Sequence, residues 1–225
     1  MVAKATDKDP EPDPLIYLSG GPGQSAILAS ISVYDKLRPS RDIVRLDQRG
    51  TGLSQRLGWE ECQVLALQDS ETGPGVEALQ ALVNPPVDSL GADGTPSPLS
   101  GAQVIAQANR LCWDQFTDQG LDLTHFNTAA SARDVVELIK ALGYDSFNIH
   151  GVSYGSRLAM TIMDTLPGYA DAPDLHSVVL DSTFPPSIYM LSSLPRNDHD
   201  QILQLLEDCR QDDLCRSAYP KLEGR

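Results

Sequence analysis

Hydrophobic positions along the chain follow two periods. Four short apolar runs are bounded by turn-forming residues: LIYL (15–18), DIVRLD (42–47), FNIH (147–150) and SVVLD (177–181). Each predicts a buried strand. Helical spacing is expected over Ser25 to Leu37, Gln103 to Phe116, Arg157 to Leu166 and Asp198 to Arg210. The clearest helix is predicted from Thr128 to just before Gly143, with Ala132, Val135, Val136, Ile139 and Leu142 on one face. Thr128 is its expected N-cap and Gly143 its C′ residue. Strands alternating with helices predict an α/β class, a mostly parallel sheet with helices on both faces. There is no internal repeat.

Ligands of such sheets bind at the carboxyl ends of the strands. The glycine cluster 20–23, the QRG loop after DIVRLD, the GVSYG turn and Asp181 are all expected there. Residues 69–100 are rich in Pro, Gly, Asp and Ser and predict a surface excursion, not a linker between domains. After FPPS (184–187) the character changes. The expected division is a core over 1–186 and the start of a helical appendage over 187–225.

Composition narrows the function classes. A hydrophobic share of 41% over 225 residues is enough for a sizeable core. The net charge of −14 repels phosphate backbones, so nucleic acid is excluded as a partner. That charge mainly supports solubility, and it favours cationic substrates such as peptides with a free amino end. No apolar run approaches the ~20 residues of a membrane span. Met1 to Pro14 (MVAKATDKDPEPDP) has no apolar signal segment. Four cysteines allow three pairings. The local arrangement favours Cys62–Cys112 and Cys209–Cys215, against the alternative of four free buried thiols. Two disulfides imply a secreted or periplasmic protein whose signal lies outside this numbering; free thiols would fit the cytoplasm.

The chemistry is carried by Gly151-Val-Ser153-Tyr-Gly155, a G-x-S-x-G pattern. The five residues alone are weak, but they follow an apolar strand and open a helix, the setting a nucleophile elbow requires. Gly151 and Gly155 leave room for a strained turn that lifts the Ser153 hydroxyl above the sheet. At a helix N-terminus, backbone N–H groups favour developing negative charge. Ser19-Gly20-Gly21-Pro22-Gly23 follows the first strand, where a second oxyanion donor is expected. The expected donors are the N–H groups of Tyr154 and Gly21, with Gly20 and Gly23 shaping the loop. Phosphate binding is the competing use of such a loop, but the Lys-Ser/Thr of a P-loop is missing.

PLIYLSGGPGQSA (14–26), DIVRLDQRGTGLS (42–54), TAASARDVVELIKALGYDSFNIHGVSYGSRLA (128–159) and VVLDSTFPP (178–186) together are specific. In these stretches the chain resembles the prolyl aminopeptidase and tripeptidyl aminopeptidase branch of the α/β-hydrolase fold. The Cys-x5-Cys at 209–215, and Ser19 where prolyl aminopeptidases usually have His, resemble the tripeptidyl side. The resemblance implies hydrolysis of peptides from a free amino terminus, with no metal and no organic cofactor. It implies that residues 187–225 begin a helical cap. It also implies that Asp47 and Arg49 support the site structurally, as an ion pair or a set of loop hydrogen bonds.

A serine hydroxyl needs a base. In the resembled family the acid and the histidine follow a helical cap, so they are expected from a missing C-terminal segment or a second chain. Without them the chain is expected to be nearly inactive. Among the histidines, His150 adjoins the elbow but is expected to pack against neighbouring loops. His125, His176 and His199 are expected to be surface or packed residues. Asp181 is a possible acid at the catalytic edge, against a structural role capping the following loop. Three functions remain: a serine aminopeptidase, a carboxylesterase on the same scaffold, and an inert fragment or interaction module. Asp198, Asp200 and Glu207 are the carboxylates available in the cap for a substrate ammonium group.

Overall fold

The computed structural model of the chain describes residues 1–29, 32–68 and 98–220. Its strands are β1 (Val2–Ala3), β2 (Leu15–Leu18), β3 (Ile43–Arg45), β4 (Ser146–Val152) and β5 (Asp174–Asp181). Its α-helices are α1 (Trp59–Gln68), α2 (Pro98–Asp118), α3 (Thr128–Ala141), α4 (Tyr154–Thr165), α5 (Met190–Gln211) and α6 (Asp213–Ala218). One sheet has the order β1-β3-β2-β4-β5. Only β1 runs antiparallel, pairing Val2 with Val44; β2, β3, β4 and β5 are parallel. The predicted α/β class and mostly parallel sheet are therefore observed.

The period of two sorts the strand residues onto two faces. On one face Ile16, Leu18, Val44, Phe147 and Ile149 are buried against Val135, Val136 and Ile139 of α3 and Leu158 and Ile162 of α4. On the other, Leu15 and Ile43 pack with Tyr34, which stands on a 3-10 helix over Ser32–Lys36. The lower end of the sheet is locked by buried Asp13. It accepts from Asn148 Nδ2 at 2.6 Å and pairs with Arg41 at 3.0 Å.

Several boundaries differ from the periodic reading. No α-helix occupies Ser25 to Leu37 among the described residues. Ser25 Oγ and the Ile27 N–H are both drawn to Asp47, and the segment continues as the short 3-10 helix. The N-cap of α3 is Asn127, whose side chain accepts from Ala130 N–H, and not Thr128. Thr128 Oγ1 instead meets the Tyr154 hydroxyl at 2.7 Å. Gly143, at φ 77°, follows the C-cap Leu142. The α4 helix begins three residues before Arg157, at Tyr154. The α2 helix begins at Pro98, ahead of Gln103, because proline is well tolerated in a first helical turn. The rest of the predicted 69–100 excursion lies outside the described residues. The polar N-terminus contributes β1, an edge pairing of two residues too short to leave a periodic signal.

Cys62 and Cys112 are disulfide-bonded with Cα atoms 5.8 Å apart, joining α1 to α2. Around them Phe116, Leu57, Trp59, Leu121 and Leu123 form a satellite core. The chain divides into two compact units, Met1–Thr183 and Phe184–Arg225. In the second unit, α5 and α6 are stapled by Cys209–Cys215 and Asp212 caps α6 by accepting from Cys215 N–H. No helix among the described residues is long and apolar enough to cross a membrane.

The Cys62–Cys112 bridge closes a loop with a sequence separation of 50. Chain-entropy reasoning assigns such a bridge about 2–5 kcal/mol. The Cys62→Ser, Cys112→Ser double variant is expected to lose stability of that order. Urea denaturation of the oxidised parent and the variant checks this.

Candidate active site

At the end of β4 the chain makes a sharp turn. Ser153 has φ 55° and ψ −119°, a region that non-glycine residues avoid, and α4 starts at the next residue. Two hydrogen bonds secure the turn: Ser153 N–H donates to the Asp181 carbonyl at 2.8 Å, and Ser156 N–H donates to the Ser153 carbonyl at 3.0 Å. Ser156 Oγ donates to that same carbonyl at 2.6 Å. The flanking glycines are required by close approach. A Cβ at Gly151 would lie 2.4 Å from the Gly155 carbonyl oxygen, and one at Gly155 would lie 2.1 Å from that of Leu18. Ser153 is thereby left exposed at the top of the sheet.

The glycine loop after β2 reaches this serine. A Cβ built on Gly20 would stand 3.0 Å from Ser153 Cβ and 3.5 Å from Ser153 Oγ. The peptide leading to Gly21 therefore leaves from a residue in contact with Ser153. Gly21 and Gly23 have φ 109° and 106°. Buried Ser19 closes the loop, donating from Oγ to the Gln24 carbonyl at 2.7 Å. Tyr154 supplies the first N–H of α4, a position with no intrahelical acceptor.

Asp47 and Arg49 hold the frame separately and do not pair with each other. Asp47, only 1% exposed, accepts from Ser25 Oγ, from Ile27 N–H at 3.0 Å and from Leu53 N–H at 2.8 Å. Burial raises its pKa, but the hydrogen bonds from Leu53, Ile27, Ser25 and Ala26 outweigh that and hold it below the ordinary value. Arg49 forms a two-pronged pair with Asp134 of α3, at 2.7 and 2.5 Å, and donates to the His125 carbonyl at 2.9 Å. Ser25 and Asp134 were not among the residues expected from sequence, and Ser19 was expected only as the first residue of its loop. Arg49 signals the need for a carboxylate, but nothing local selects Asp134 among 31 acidic residues.

Asp181 ends β5 beside the elbow, and its carbonyl takes the Ser153 N–H. Its carboxylate accepts from Ser182 Oγ at 3.0 Å and lies 3.7 Å from His150 Nε2. His150 Nδ1 shares a hydrogen bond with the Tyr34 hydroxyl, and its ring packs edge-on against Tyr17 and Tyr34. Burial pushes the Tyr34 hydroxyl pKa up. His125 lies 3.3 Å from Asp122, and His176 lies 3.5 Å from Asp13 near the lower end of the sheet. His199 is an exposed residue of α5. None of these histidines is hydrogen-bonded to Ser153 among the described residues. In the second unit, Glu207 is engaged by Arg210 and Gln211, which lower its pKa to about 2. Among the described residues no cluster of three or more His, Cys, Asp or Glu is placed to hold a metal ion.

Two outcomes follow from this packing. Gly155→Ala forces a methyl into the Leu18 carbonyl, and overpacking of this kind costs about 1–3 kcal/mol or more. A lowered melting temperature is expected, read by circular dichroism. For Asp47, a folded-state pKa below the unfolded one adds stability above the unfolded pKa, near 4, and loses it as pH falls through the folded value. Asp47→Asn is expected to be less stable at pH 7 and to lose stability less steeply between about pH 5 and 2. Urea denaturation across that range measures both.

A strand-turn-helix elbow on a mostly parallel sheet, met by a glycine loop from the neighbouring strand, is the local architecture of one large enzyme family. No curated protein matches the chain significantly. The family model for the alpha/beta hydrolase fold matches residues 13–222, almost the whole sequence. By fold, by the geometry of its elbow and by that match, the chain belongs to the alpha/beta hydrolase fold family.

Proposed function

We propose that this hydrolase is a serine enzyme acting through an acyl-enzyme on Ser153, and that its substrates are peptides with free amino termini. The observation that carries the reading is the exposed Ser153 at φ 55°, with Gly20 against its Cβ. In the proposed reaction Ser153 Oγ attacks the scissile carbonyl carbon while a base accepts its proton. The Tyr154 and Gly21 N–H groups hold the oxygen as it becomes negative. The amine leaves with a proton returned by that base, and water then releases the acyl group.

Residues with other tasks fit around this. Gly151, Gly155, Gly20 and Gly23 shape the elbow and its facing loop, and Asp47 and Arg49 hold that frame. Asp181 serves as a backbone anchor for the elbow. His125, His150 and His176 each lie against another side chain, and no histidine has a described hydrogen bond to Ser153, so the base is proposed to come from a further segment or a second chain. The aminopeptidase assignment is supported by the joint motifs and by the net charge of −14, which favours a cationic substrate end. Export to an oxidising compartment is supported by the two disulfides.

The test uses the intact gene product. A fluorophosphonate probe is expected to label the parent and not Ser153→Ala, and the variant is expected to lose at least about a thousandfold in kcat. A peptide anilide with a free amino end is expected to be cleaved in preference to a short acyl ester. Labelling that survives Ser153→Ala would remove the nucleophile assignment. A clear preference for the ester would make the enzyme a carboxylesterase.

A further inference from the structure

Beside the glycine loop lies a cavity of ≈ 260 Å³ that the proposed chemistry does not use. Pro22 and Gly23 form one side; the loop Gly50–Gly52, residues 56–59 and Glu61 form the rest. Its volume is below the roughly 300–1,000 Å³ that whole drug-sized ligands occupy, so it suits one residue of a longer substrate. Its distance from the chemistry is bounded by the chain. Gly20 touches Ser153, and three residues later Gly23 lines the cavity, a span of at most about 10 Å. That is the reach of a substrate side chain within three positions of the scissile bond.

The walls specify what fits. Leu57 and Trp59 present apolar surface, and Trp59 is braced from behind by stacking on Phe116 at 5.7 Å. The Cys62–Cys112 bridge ties the helix that Trp59 opens to the helix that carries Phe116. The charged side chains of the lining, Arg56 and Glu61, form an ion pair with each other. A charged substrate group would have to compete with that pair, whereas an uncharged ring can lie on the indole at no electrostatic cost.

We infer that this cavity is a side-chain subsite for an uncharged, aromatic or large apolar residue of the substrate, with Trp59 as its platform. The inference rests on the proposed role of Ser153 for its link to catalysis, but not for the cavity's own preference.

Because the protein has two tryptophans, Trp113→Phe leaves Trp59 as the only indole reporter. In that background, at 150 mM salt, N-acetyl-phenylalanine amide is expected to change Trp59 emission saturably. The lysine and glutamate amides are expected to bind at least tenfold more weakly. Trp59 also borders a second cavity lined by Ala106, so two blocking variants separate the two. Thr51→Phe, with unaltered circular dichroism, is expected to abolish the response, and Ala106→Phe to leave it intact. The phenylalanine amide is further expected to slow fluorophosphonate labelling of Ser153. A flat titration, equal responses to the three amides, or loss of the response on Ala106→Phe alone would overturn the subsite. So would binding that leaves the labelling rate unchanged. Failure of Ser153 to label at all in the intact gene product, with the titration intact, would strike the Ser153 nucleophile reading and leave the cavity's preference standing.

Discussion

The Ser153 backbone, at φ 55° and ψ −119°, sits where its own steric preferences oppose it, at a cost of order 1–3 kcal/mol. Such a conformation survives only where its surroundings over-determine it. Here three strands share the task. β4 delivers the chain, the last carbonyl of β5 takes the Ser153 N–H, and the Leu18 carbonyl of β2 lies so close to Gly155 that no side chain fits between. The order β2-β4-β5 in the sheet is therefore a condition for the elbow and not only its backdrop. Behind it, the wholly buried side chains of Leu158 and Ile162 seat α4 on the sheet and keep the turn from relaxing.

A second layer of contacts links this turn to the loops around it. Asp47 gathers backbone and hydroxyl donors from two loops, while Arg49 grips Asp134 on α3. Thr128, at the start of the same helix, meets the first side chain of α4. One helix thus anchors both the loop after β3 and the helix that the elbow opens. Since Asp47 is buried and hydrogen-bonded as a carboxylate, the integrity of this frame is tied to its charge.

In the proposed reading, the acidic surface and the cavity with its internally paired charges divide recognition between them. A net charge of −14 would act at long range on the cationic end of the proposed substrate, an attraction that weakens with salt. The cavity beside Pro22 and Gly23, as the proposed subsite, would act at contact range through shape and apolar surface. Its far wall depends on a disulfide-joined pair of helices, so the bridge that stabilises this lobe also sets the position of Trp59.

By itself, the sequence determined whatever depends on near neighbours in the chain. Alternating strands and helices followed from hydrophobic period, and the elbow followed from two glycines bracketing a serine between an apolar run and a helical one. The steric need behind those glycines is local enough to be written in five residues. Tertiary structure decided the partners. Ser25 bonds Asp47 and so replaces an expected helix with a 3-10 turn; Arg49 takes Asp134; His150 is held by Tyr34 and lies near Asp181. Asn127 and not Thr128 caps α3, while Thr128 meets Tyr154. Each of these choices joins residues tens of positions apart or displaces a local preference by a distant contact. Only the assembled fold, which brings those positions within hydrogen-bonding distance, selects one partner among many of the same chemistry.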